Sequence, residues 1–165
     1  MLFKLKTLLL IPLALISLMI SACGFEPVYG TGGTGSALRG KVEVLAPDTI
    51  DTYLLVQNLE QRLGRSSNAE YDLNVTLDTE FQGQAITASN ETTRYSIVGQ
   101  VDYTLMSVET GDIVASGNVR NFTGYSATGS TVDTLASERD ARKRLMMILA
   151  DQLTTQLYAT VELPK

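Results

Sequence analysis

Cys23 is the only cysteine in 165 residues, and no histidine accompanies it. These two facts constrain the fold more than any other feature. One thiol cannot close an intrachain disulfide, and zinc sites of the Cys/His type and histidine acid–base chemistry are excluded. The folded part must therefore be held by apolar burial and backbone hydrogen bonds, which a chain of this length can supply as one domain. No cofactor and no catalytic residue is expected, so the chain reads as a non-enzyme.

The placement of Cys23 is as informative as its solitude. Lys4 and Lys6 precede an apolar run from Leu8 to Ile20, interrupted by Pro12 and Ser17, and the run closes on Ile20-Ser21-Ala22-Cys23-Gly24-Phe25. A positive n-region, a short h-region and small residues before the cut describe a signal peptide. The run falls short of the roughly 18 apolar residues that a membrane-spanning helix needs. Residues 1–22 are thus expected to be a cleaved lipoprotein signal, with Cys23 the first mature residue. Its thiol would carry a diacylglycerol and its amine an acyl chain, more than the two anchors that stable attachment requires. Gly24 stands where an aspartate would resemble an inner-membrane retention signal, which favours the periplasmic face of the outer membrane.

Residues 23–40 read as a lipidated N-terminus and flexible tether, because Thr31-Gly32-Gly33-Thr34-Gly35-Ser36 has the composition of a flexible linker. Fully extended, the stretch from Cys23 to Lys41 would reach about 60 Å. Gly30, Gly32 and Gly35 satisfy G-x-G-x-x-G but lack the strand before and the helix after that a dinucleotide site needs.

Residues 41–165 read as the folded domain. Val42, Val44 and Ala46 alternate against Lys41, Glu43 and Leu45, predicting a short strand ended by Pro47. Capping residues around Asp48–Asp51 and the spacing of Leu55, Leu59 and Leu63 predict a helix that stops at Gly64. From Tyr71, the residues Leu73, Val75 and Leu77 alternate with polar ones, a half-buried strand. Gln82 to Thr92 is polar and reads as a long connection or frayed strand ends. A further strand, Thr93 to Val108, carries Tyr95, Ile97, Val101, Tyr103 and Leu105 on one face.

Glu109-Thr110-Gly111 then fits a three-residue hairpin loop with a left-handed glycine and a bulge. Pairing Val108 with Asp112 puts Ser107 opposite Ile113, Leu105 opposite Ala115, Tyr103 opposite Gly117 and Val101 opposite Val119. Both apolar sets then share one face, whereas a two-residue turn would separate them. Gly117 leaves space for the Tyr103 ring. Thr131 to about Tyr158 predicts a long helix with a stripe of Leu135, Ala141, Leu145, Ile148, Leu149, Leu153 and Leu157, and with Glu138–Arg142 and Asp140–Arg144 pairs on its polar side. Met146, Met147, Tyr95 and Tyr103 read as core. The fold class is α+β: two helices on one face of a mostly antiparallel four-stranded sheet, in the order β-α-β-β-β-α.

Cys23-Gly24-Phe25-Glu26-Pro27-Val28-Tyr29-Gly30 resembles the mature N-terminus CGF-x-P-[LV]-YG of the LptE family of lipopolysaccharide-assembly lipoproteins, especially its alphaproteobacterial branch. Thr93-Arg94-Tyr95, Val101-Asp102-Tyr103-Thr104-Leu105, Thr110-Gly111 and Gly117-Asn118-Val119 resemble that family's central hairpin, and the Tyr125 segment and last helix continue the likeness. The resemblance implies two helices on a four-stranded sheet. It also implies a plug and assembly partner for the outer-membrane barrel LptD, taking part in lipopolysaccharide delivery to the cell surface. Basic residues near one end of the sheet are thought to meet lipopolysaccharide in this family, and Arg94 and Arg120 are the corresponding candidates.

Other readings remain beside it. Asp102 and Glu91 could pair with these arginines, and Arg139, Arg142, Lys143 and Arg144 form the only charge run, interleaved with Glu138 and Asp140 and read as a solvated or barrel-facing side. A net charge of -5 disfavours nucleic acid as a partner. The alternative function is an accessory lipoprotein of another envelope transport complex; a carboxylate hydrolase using Asp72 and Asp78 is the least favoured reading.

Overall fold

Alternation of side chains builds the sheet, and the sheet positions everything else. The computed structural model describes residues 28–30, 33–45, 49–86 and 91–161; the signal segment and Cys23 lie outside the described residues. Strands β1 (Val42–Leu45), β2 (Tyr71–Ile86), β3 (Thr92–Ser107) and β4 (Ile113–Ser126) form one sheet in the order β1-β2-β3-β4. The first pair is parallel and the other two antiparallel, because a helix connects β1 to β2 whereas tight hairpins can join only antiparallel strands. Helices α1 (Thr34–Leu38), α2 (Ile50–Leu63) and α3 (Thr131–Thr160) complete the domain. The predicted order β-α-β-β-β-α holds, preceded by the additional short α1.

Helix α2 begins at a capping box in which the Thr49 and Thr52 side chains satisfy each other's backbone N–H groups, and ends where Gly64 takes φ 79°. Its Leu55, Leu59 and Leu63 are fully buried, as their i, i+4, i+8 spacing requires. Helix α3 starts at a second capping box, Ser130 with Asp133, and runs for about 45 Å. It crosses β3 and β4 and packs along α2, so it is covered on two sides. That second contact buries Met146 as well as Leu145, Leu149, Leu153 and Leu157. Met147 is 44% exposed and Leu135 47% exposed, against the expectation that both are core: Met147 turns away from sheet and α2, and Leu135 sits in the first turns, where cover is thin.

Inside, the sheet presents rows read across β2, β3 and β4: Leu73–Leu105–Ala115, Val75–Tyr103–Gly117 and Leu77–Val101–Val119. The register matches expectation at all three rows, but the turn that sets it does not. Ser107 N donates to Asp112 O at 2.9 Å and Gly111 N to Ser107 O at 2.8 Å, with Gly111 at φ 74°. The loop is therefore Val108–Gly111, one residue longer than predicted, and Ile113 faces Met106 rather than Ser107. An irregularity between Leu105 and Met106 absorbs the extra residue of β4, which returns the apolar sets to one face.

Two further differences have physical causes. The segment Gln82–Ile86 is strand, not connection, since Gln82 pairs with Ser96 and Gly83 with Tyr95; backbone hydrogen bonds pair a polar strand as well as an apolar one. Thr34–Leu38, read from composition as part of the tether, is helical with Leu38 fully buried. Five residues cannot hold a helix in water by themselves, so tertiary contacts hold this one.

Candidate functional site

The face of the sheet away from α2 and α3 is a polar surface. Its rows are Asn74–Thr104–Ser116, Thr76–Asp102–Asn118 and Asp78–Gln100–Arg120, followed by Glu80–Val98–Phe122. Arg120 is exposed in β4 opposite Gln100, beside a shallow depression lined by Asp78, Glu80 and Val98. Arg94 is exposed in β3 opposite Ser126. Both arginines occupy the polar face, as their strand parity requires, but Gln100 stands six residues from Arg94 along β3. Six residues of strand span about 20 Å. The two guanidinium groups are thus separate points and do not form one pincer. Neither makes an ion pair among the described residues.

Asp72 and Asp78 share this face and are also six residues apart on β2. That separation, about 20 Å, exceeds the roughly 5–10 Å at which two carboxyl groups flank a scissile bond. Among the described residues no group of three or more His, Cys, Asp or Glu could hold a metal ion.

The charge run of α3 divides by role. The Arg142 guanidinium pairs with Asp51 of α2 and, at 3.0 Å, with Glu138 one turn away. It also lies 4.8 Å from the ring centroid of Phe81 in β2, a cation–π contact. Burial opposes its charge, but the bonds to Glu138 and Asp51 prevail and raise its pKa. Arg144 pairs with Asp140 and donates to Gly124 O at 3.3 Å. Arg139 and Lys143 make no ion pair among the described residues and border a groove of about 580 Å³ floored by Ile50, Leu54 and Leu135.

Tyr103 is buried in the core, and a Cβ on Gly117 would stand 2.8 Å from its hydroxyl oxygen. Tyr95 instead stacks half-buried on Tyr125 at 5.5 Å between centroids. Burial, then the charge of Glu138, raises the Tyr125 pKa. The sequence reading did not anticipate the docking of Val28 and Tyr29 on the C-terminal turn of α3, where the Tyr29 and Tyr158 rings meet edge to face at 5.8 Å. The one sign of it was the density of the octapeptide, whose last residues are Val28, Tyr29 and Gly30.

No curated protein matches this chain. Solved structures share the fold: a candidate lipoprotein of Caulobacter crescentus CB15 (TM-score 0.66, 21% identity, covering 78% of this chain and 94% of that one) and a minor lipoprotein of Acinetobacter baumannii (0.58, 19%, 76% and 97%). The rare lipoprotein B of Shewanella oneidensis gives 0.57 at 13% identity, with 72% and 94% covered. The model of the LptE family, described as lipopolysaccharide-assembly, matches residues 41–157, nearly the whole of the described strand and helix framework. The chain therefore belongs to the LptE family of lipopolysaccharide-assembly proteins.

Proposed function

We propose that this protein is an outer-membrane lipoprotein of the lipopolysaccharide transport machinery, anchored through acyl chains on Cys23, that plugs and helps assemble an LptD-type β-barrel. The observation that carries this reading is the family match over residues 41–157. The shape of the body supports it. A barrel lumen is polar and water-lined, and the outer sheet face offers three consecutive rows of polar residues to such a wall. Arg94 and Arg120 stand exposed on that face, a guanidinium fork can grip phosphate bidentately, and each would meet a separate anionic group of lipopolysaccharide.

Affinity purification from outer membranes after mild detergent extraction tests the reading. A large β-barrel protein should co-purify in near-equal amount, and depletion of this protein should lower surface lipopolysaccharide. Recovery of the chain without such a barrel, or normal surface lipopolysaccharide after depletion, would assign it to another envelope machine.

A further inference from the structure

The end of the body that receives the chain from Cys23 is built as a joint. Gly35 N donates to Val28 O at 3.0 Å, Thr34 Oγ1 donates to Tyr158 O at 2.8 Å, and the Tyr29 ring covers that of Tyr158. Gly35 has no room for a side chain: an added Cβ would stand 2.8 Å from Val28 Cγ1 and 3.0 Å from Tyr29 Cε1. Beyond α1, Leu38 is fully buried and Gly40 N donates to Leu63 O at 2.7 Å, which ties the segment to the end of α2. The same end holds the β3–β4 turn, since Val108 N donates to Glu70 O and Glu70 N to Lys41 O. The start of α3 lies at the other end, about 45 Å away along that helix, and the start of α2, where Asp51 meets Arg142, lies about 20 Å from the near end.

We propose that Val28–Gly30 and Gly33–Leu38 form a fixed strap that makes the β3–β4 turn end of the domain its membrane-facing surface, with lipid headgroups as the partner. The proposal rests on lipidation of Cys23. Without the strap, the anchor would connect to the body at Lys41 through a chain of about 60 Å reach. With it, only four residues intervene between Cys23 and Val28, and the five steps span at most about 18 Å. An attachment this short at one end of an elongated body fixes which end is near the bilayer. In a bilayer without a barrel, the far end, with exposed Val132 and Leu135, is held away from the headgroups.

The test uses the full-length lipidated protein reconstituted in phosphatidylethanolamine/phosphatidylglycerol vesicles that contain a headgroup quencher and no barrel. A fluorophore is placed by Glu109→Cys at the turn or by Thr128→Cys at the far end; the acylated Cys23 thiol does not react. Quenching at 109 should exceed that at 128 several-fold. Tyr29→Ala combined with Gly35→Val should bring the ratio near one and abolish amide-exchange protection at residue 35, with the far-ultraviolet spectrum unchanged. Equal quenching at both ends of the parent protein would overturn the proposal, as would a ratio that survives the double substitution. A chain whose mass shows no acyl groups would overturn the lipidation reading and the membrane-facing assignment with it. Amide exchange at Gly35 would then still decide whether the strap is docked.

Discussion

At Gly99, an added Cβ would stand 2.8 Å from Leu149 Cδ1 and 3.1 Å from Leu145 Cδ2, both fully buried. Helix α3 reaches β3 at this distance because the strand lacks a side chain there. Gly99→Ala should therefore lower stability by about 1–3 kcal/mol, the cost of overpacking a filled core. Gly124 faces outward with its nearest neighbour at 3.5 Å, and Gly124→Ala should shift the urea midpoint far less. Equal shifts would mean that α3 is not seated on Gly99. Tyr158 offers a pH test. Burial, and then the neighbouring Tyr29, push its pKa up to about 12 from the usual 10.0, and its hydroxyl has no hydrogen-bond partner of ordinary geometry among the described residues. The unfolded chain ionises first, so it binds fewer protons than the native state between these values. This stabilisation is complete below pH 10 and is lost as pH rises through about 12, amounting to on the order of 2 kcal/mol. Tyr158→Phe should flatten that part of the stability–pH curve; an unchanged slope would assign the alkaline loss to other groups.

Among the elements, α2, α3 and β2 meet at Arg142. Its partners Glu138 and Asp51 are 25% and 13% exposed, so removing the guanidinium strands a largely desolvated carboxylate. Arg142→Ala should cost about 1–3 kcal/mol, combining lost pairing with lost contact on Phe81. A double-mutant cycle with Asp51→Ala should give a coupling of at least about 1 kcal/mol. The Lys41–Glu70 pair, exposed at 44% and 49%, should give less than about 0.5 kcal/mol. Comparable couplings would show that burial is not what distinguishes the two. The hairpin shows what elements reveal about the sequence. Alternation in β3 and β4 identified the apolar faces, and face matching then set the pairing of Val101, Tyr103 and Leu105 correctly. The turn is one residue longer than the pattern predicts because Val108 is as compatible with a loop as with a strand end. The compensating irregularity beside Leu105 leaves no mark on the hydrophobic pattern.

For the molecule as a whole, the positions of Arg94 and Arg120 predict how they act. Both are exposed and far apart on the polar face, so Arg94→Ala and Arg120→Ala should leave the urea midpoint within about 0.5 kcal/mol of the parent. If each meets its own anionic group, the losses in lipopolysaccharide retention should add in the double variant. A double variant no weaker than either single one would mean that they share a group. The sequence by itself determined the element order, the inward faces and the outward arginines, because periods of two and 3.6 residues are properties of the local backbone. It also carried the octapeptide and hairpin that resemble LptE, a membership that the match over residues 41–157 shows. Tertiary structure alone decided that α1 forms from a glycine-rich stretch, that Met147 is left exposed beside the buried Met146, and that Tyr29 docks on Tyr158. Each depends on a surface brought from more than a hundred residues away or from a neighbouring helix. Burial and close approach are relations between distant segments, whereas periodicity belongs to one segment at a time.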